Sequence, residues 1–205
     1  MLLAEQALVG IRLRGQQVQV AVTVFTDEAD RRSAAGLGAV GSRVLLTVLH
    51  ELPVDLPVPQ SSLDPHALRM LHSAPPGVVD LGEDEQGGVV RRLVPAARVE
   101  LVLVHGPHGI SAREWDAAVR DASQFAPFCA RGLVVSHTEP ERGPGTDMDL
   151  LLLKARFYGV GVAVHESTGA LRWLLEPAPY RPHRHSPAQW LFHEQAWSQL
   201  GPDRS

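Results

Sequence analysis

Four residues in the second half of the chain are of types that could serve one divalent ion: Glu114, Asp147, Asp149 and Lys154. Asp147-Met148-Asp149 leaves a glycine-rich loop, Gly143-Pro144-Gly145, and enters an apolar run. If the run from Asp149 to Lys154 is a strand, side chains at i and i+2 face the same side. Two carboxylates that converge there would offer the oxygen ligands that Mg²⁺ prefers. Lys154 is the only lysine among nineteen basic residues, which singles it out. The plainer reading is that Asp147 and Asp149 close a turn and Lys154 is a solvated charge at a strand end.

A second group lies near the end of the chain. Arg181, His183, Arg184 and His185 precede Ser186-Pro187-Ala188-Gln189. Serine there suits an N-cap, proline the first helical position and glutamine the third, so three start signals agree on a closing helix. Trp190, His193, Ala196, Trp197 and Leu200 then share one face, with Glu194, Gln195, Ser198 and Gln199 on the other side. His193 is therefore expected in the core or at its rim. The histidines lack the i, i+4 spacing by which a helix presents two metal ligands, so no metal is expected among them. An anion such as phosphate fits better, held by Arg181, His183, Arg184 and His185 beside the free N–H groups of the helix start.

Three further stretches carry less. His105-Gly106-Pro107-His108-Gly109 follows a strand and precedes a helix, as an anion-cradling loop would. It fits neither common nucleotide-binding pattern. Ser136-His137 are neighbours on a strand and point to opposite faces, so they cannot form a nucleophile–base pair there. Cys129 lies between Phe128 and Ala130, with nothing local to lower its pKa.

The elements that must position these groups follow from period and punctuation. Ala7–Leu13 and Val18–Phe25 read as a hairpin around Arg14-Gly15-Gln16-Gln17. Residues 27–42 read as a loop with one helical turn at most, and Val44–Leu49 as a buried strand. Asp64-Pro65 starts a short helix to about Ser73. Val89–Leu93 and Val99–Val104 read as strands. Ser111-Ala112-Arg113-Glu114 is a capping box, followed by Trp115, Ala118, Val119, Ala122, Phe125 and Ala126 at helical spacing until Pro127. Gly132–Ser136, Asp149–Lys154, Phe157–Val164 and Leu171–Leu175 complete the strands.

Helix 111–126, strand 132–136, acidic strand 147–154 and strand 157–164 follow in an order that resembles the core of the restriction-endonuclease-like, PD-(D/E)xK nucleases. The resemblance implies that Glu114 is the helix acid and that Asp149, or Asp147, is the strand aspartate. It departs at the third strand, Tyr158-Gly159-Val160-Gly161-Val162-Ala163-Val164, which carries neither acid nor lysine. Lys154 ends the aspartate strand instead. The implied outcome is a degenerate, non-catalytic core. The alternative is a metal-dependent phosphodiesterase using Glu114, Asp147, Asp149 and Lys154 with Mg²⁺ or Mn²⁺.

The bulk numbers are those of an ordinary globular chain, most of it folded. The 205 residues are 44% hydrophobic and 20% charged, enough to bury a core without disulfides or a structural metal. The single cysteine suggests a reducing compartment. The net charge of -4 supplies no overall basic surplus for nucleic acid. No apolar run approaches the roughly 18 residues of a spanning helix, so no membrane is expected. The expectation is one mixed α/β (α+β) domain, 1–205, of bacterial, cytoplasmic type, with a hairpin-containing sheet and about three helices. Residues 1–105 would be strand-rich with the short helix 64–73, and 106–205 a helix-strand-strand-strand-helix core. It would act as a binding or accessory protein through a protein or nucleic-acid partner, a homo-oligomer being admitted. The proline-rich 53–62 and acidic 82–88 stretches are where partner-dependent order is expected.

Overall fold

A computed structural model describes residues 8–82, 87–106, 111–135, 148–166, 170–181 and 185–200. In chain order the elements are β1 (Val9–Leu13), β2 (Gln16–Val24), α1 (Thr26–Ala34), α2 (Arg43–Glu51), β3 (Val58–Pro59), α3 (Pro65–His72), β4 (Val79–Leu81) and β5 (Gly88–Arg91). Then come β6 (Ala97–His105), α4 (Ala112–Ser123), β7 (Ala130–Val135), α5 (Met148–Phe157), β8 (Gly161–His165), β9 (Leu171–Leu175) and α6 (Pro187–Leu200). Among the described residues this is a mixed α/β fold with a six-stranded sheet, a three-stranded sheet and six α-helices. The chain divides into two compact units, Met1–Thr23 with Val99–His183, and Val24–Arg98 with Arg184–Ser205.

The first unit is built on the larger sheet, in the order β1-β2-β6-β7-β8-β9. β1 and β2 form the expected antiparallel hairpin. Its two-residue turn has both φ angles positive, Arg14 at 50° and Gly15 at 82°. That is the primed turn whose twist matches the strands it joins. β6, β7 and β8 run parallel, and β9 returns antiparallel. Parallel neighbours need crossover connections, and α4 and α5 provide them. The second half is therefore helix-strand-helix-strand-strand-helix, with two βαβ units in succession.

The correction lies at α5, where a strand was expected over Asp149–Lys154. Leucine is a good helix former, and the run contains no β-branched residue. Leu151 and Ala155, four apart, are the residues that α5 buries. The helix ends in a Schellman motif: Gly159, at φ 66°, sends its N–H to the Arg156 carbonyl (2.9 Å), and the Val160 N–H reaches the Ala155 carbonyl (2.9 Å). Gly159, read from sequence as part of a strand, instead marks the end of a helix. β8 consequently begins at Gly161.

The second unit packs α1, α2, α3 and α6 with the small antiparallel sheet β3-β5-β4. Its core holds Leu45, Leu46, Leu49, Leu71, Val78, Val89, Leu93 and Trp190. Here too a buried strand, Val44–Leu49, proves to be a helix. Ser42 caps it by accepting the Leu45 N–H at 3.2 Å, and Leu45, Leu46 and Leu49 share its inner face. The expected loop 27–42 contains all of α1 except its first residue. The 64–73 helix stands as read: Asp64 Oδ1 accepts the His66 and Ala67 N–H groups at 2.8 and 3.0 Å, behind Pro65 at the first position.

Candidate functional site

The acidic constellation is divided among local partners. Glu114 stands in the first turn of α4. Its carboxylate accepts the Ser111 hydroxyl at 2.6 Å, and its N–H donates to Ser111 Oγ at 3.2 Å, so the expected cap forms. Asp149 lies in the first turn of α5, which removes the strand-face argument for pairing it with Asp147. Lys154 donates to Asp116 on α4, a residue that the sequence reading passed over. Asp147 lies outside the described residues. Among those described, no three His, Cys, Asp or Glu side chains form a group that could hold a metal ion.

The closing helix starts where expected. Ser186 Oγ accepts the Gln189 N–H at 3.2 Å, and the Ser186 carbonyl accepts the Trp190 N–H at 2.9 Å. Trp190, His193, Ala196 and Trp197 are buried as read. Glu194 is the exception: placed on the outer side by period, it is 1% exposed. It belongs to a buried network in the second unit. Arg32 on α1 donates to both of its oxygens, at 2.7 and 2.8 Å. The Trp190 indole N–H (3.1 Å) and the Val40 N–H (2.9 Å) add to them. Glu28 takes Arg32 Nε at 2.8 Å and is clasped by Arg31 at 2.7 and 2.9 Å. Two guanidiniums and two carboxylates thus balance in charge, the condition under which ions tolerate burial. Burial pushes the Glu28 carboxyl up, but hydrogen bonds and charge from Arg31 and Arg32 outweigh it and hold it below its usual range.

Beside this network the second unit has a partly open cavity of about 310 Å³. Its walls include His50 of α2, Arg91 of β5, His185, and Gln189, Trp190 and His193 of α6. Among the described residues no carboxylate lines it, and Arg91, Trp190 and the histidines give it an aromatic and basic lining. Arg91 is the central group. Its guanidinium lies over the Trp190 ring, 4.5 Å from the centroid. Nε donates to the Leu93 carbonyl at 2.9 Å, and Nη1 to the Leu49 and Leu52 carbonyls at 3.0 and 3.1 Å. These acceptors orient the group without neutralising it. No ion pair among the described residues includes Arg91. Burial pushes its pKa below the usual arginine range, and the charge of Asp55 opposes that only in part.

His50 Nε2 lies 3.1 Å from the His185 carbonyl. A carbonyl only accepts, so Nε2 carries the proton and Nδ1 remains for other use. The start of α6 offers little by itself. Proline has no N–H, and Ser186 already takes those of Gln189 and Trp190. An anion seated here would depend on the side chains.

Of the residues expected to bind an anion, His185 is exposed and lines this cavity. Arg181 is exposed and belongs to the first unit. His183 and Arg184 lie outside the described residues. Arg91 and His50, which complete the cationic wall, come from segments about a hundred residues or more earlier, and no local pattern marks them. The chain matches no protein-family model, no curated protein and no solved structure, so the cavity stands on its own geometry.

Proposed function

We propose that this is a non-catalytic binding protein that engages an anionic group of its partner, phosphate or carboxylate, against Arg91, His50 and His185. One observation carries the reading. Arg91 is a half-buried cation oriented by three carbonyls, on the wall of a cavity that no acid lines and with no ion-pair partner, among the described residues. A charge withdrawn from water is costly until it is paired. An arriving anion would relieve that cost, and the fixed guanidinium has little entropy left to lose on binding. The non-catalytic reading is supported by the local engagements of Glu114 with Ser111 and of Lys154 with Asp116.

Titration with inorganic phosphate, a phosphorylated peptide and a short single-stranded oligonucleotide, followed by calorimetry, tests this. Binding should weaken as salt rises. It should weaken at least about tenfold, the equivalent of one 1.4 kcal/mol contact, in His50→Ala/His185→Ala. Arg91→Met, which keeps the apolar stem over Trp190, should abolish it. Affinity unchanged in both variants would remove the proposal. Mn²⁺-dependent cleavage of a nucleic acid by wild type, and not by Asp149→Ala, would replace it with the phosphodiesterase alternative.

A further inference from the structure

The helix α5 buries one side and leaves the other bare. Leu151 and Ala155 face inward, and the Trp115 indole N–H donates to the Leu151 carbonyl at 3.1 Å. On the opposite side Leu150 is 62% exposed, Leu153 62% and Phe157 83%. At about 100° per residue these three fall within about 60° of arc, a continuous apolar stripe two turns long. Tyr158 extends it, its ring edge-on to that of Phe157 with centroids 5.2 Å apart. An isolated exposed leucine means little, but a stripe at i, i+3 and i+7 is the pattern of a helix that packs on another helix.

The charges beside the stripe say which helix. Asp149 and Arg156 are both exposed and seven positions apart, on the same flank of the stripe. Asp149 stands four positions before Leu153 and Arg156 three after it. Leu150 stands three before it and Phe157 four after. A twofold axis through Leu153, perpendicular to two antiparallel copies of α5, therefore brings Asp149 beside Arg156 of the second copy. The same axis brings Leu150 beside Phe157 of that copy and Leu153 beside itself. Both charges also suit the dipole of their own helix, so charge alone would not carry the inference. What carries it is that stripe and charges are self-complementary about one point, as a twofold interface requires.

We propose that α5 is a homodimer contact, packed antiparallel on α5 of a second copy of this chain. Two ten-residue helices bury an area at or below the low end of stable interfaces, about 1,200 Å². The association should accordingly be reversible and roughly micromolar.

Sedimentation equilibrium of the full chain across a range of concentrations tests this. Wild type should shift from monomer to dimer. Leu153→Asp should raise the dimer dissociation constant at least about tenfold, with an unchanged far-UV circular dichroism spectrum. Asp149→Arg and Arg156→Asp should each weaken the dimer, and the doubly reversed chain should recover it. Leu153→Cys should form a disulfide-linked dimer under mild oxidation, since the chain's single native cysteine, Cys129, is buried. A chain that stays monomeric, a dimer indifferent to Leu153→Asp, or a doubly reversed chain that does not recover would overturn the proposal.

Discussion

At the scale of single residues, Glu194 shows how much one buried carboxylate can organise. It receives Arg32 through both oxygens and also takes the Trp190 indole and the Val40 backbone. Removing its charge leaves Arg32, 1% exposed, with Glu28 as its remaining carboxylate. Breaking a buried pair from one side costs about 3–5 kcal/mol. Glu194→Gln should fall near the lower figure, because Glu28 still compensates in part. Thermal unfolding would measure this, and a variant as stable as wild type would show the network to be unimportant. Acid probes the same cluster. The Glu28 carboxyl is held below its usual range when folded. Its stabilisation is therefore present above the unfolded value, about 4.3, and is lost as pH falls through the lower folded value. Stability should decline below about pH 4, and less steeply in Glu28→Gln. An equal acid slope in that variant would place the titrating group elsewhere.

Among the elements, helices α2 and α5 mark where sequence patterns mislead. Short apolar runs such as Val44–Leu49 and Leu150–Leu153 suit a buried strand or a buried helix equally well by period. The ends decide: Ser42, read as loop, caps α2, and Gly159, read within a strand, closes α5. Ser42→Ala should cost about 1 kcal/mol, read as a lowered urea midpoint with unchanged slope. No loss would mean that the cap is replaced by water. A tighter constraint sits in the larger sheet, where Gly132 and Gly161 pair across β7 and β8. A Cβ on Gly161 would lie 2.7 Å from both the Trp173 ring and the Pro177 nitrogen. Backbone cannot yield as a flexible side chain does, so Gly161→Ala should destabilise by roughly 1–3 kcal/mol. A neutral result would show that Trp173 and the segment at Pro177 pack on β8 more softly than these distances imply.

For the molecule as a whole, the second unit is made from two stretches far apart in the chain, Val24–Arg98 and Arg184–Ser205. Helix α6 supplies Trp190 to its apolar core and Glu194 to its ion network. A chain ending at residue 183 should lose amide protection throughout α1 and α2 in hydrogen exchange. Protection equal to that of the full chain would mean that α6 is an accessory to this unit.

The sequence by itself determined the features whose partners lie within a few residues. These are the first hairpin, whose turn the structure narrows from residues 14–17 to Arg14-Gly15, the caps at Asp64, Ser111 and Ser186, the inner face of α4 and the mixed α/β class. Their hydrogen bonds close over two to four positions, so the deciding residues stand next to one another. Only the tertiary structure decided that Glu194 is inside, because its ion partner Arg32 lies 162 positions away. It alone brought Arg91 and His50 to the cavity that His185 lines. Helical period ranks faces by hydrophobicity and so places a glutamate outside. Burial of a charge depends on where its counter-charge folds to, and that is set by packing between segments that carry no local trace of one another.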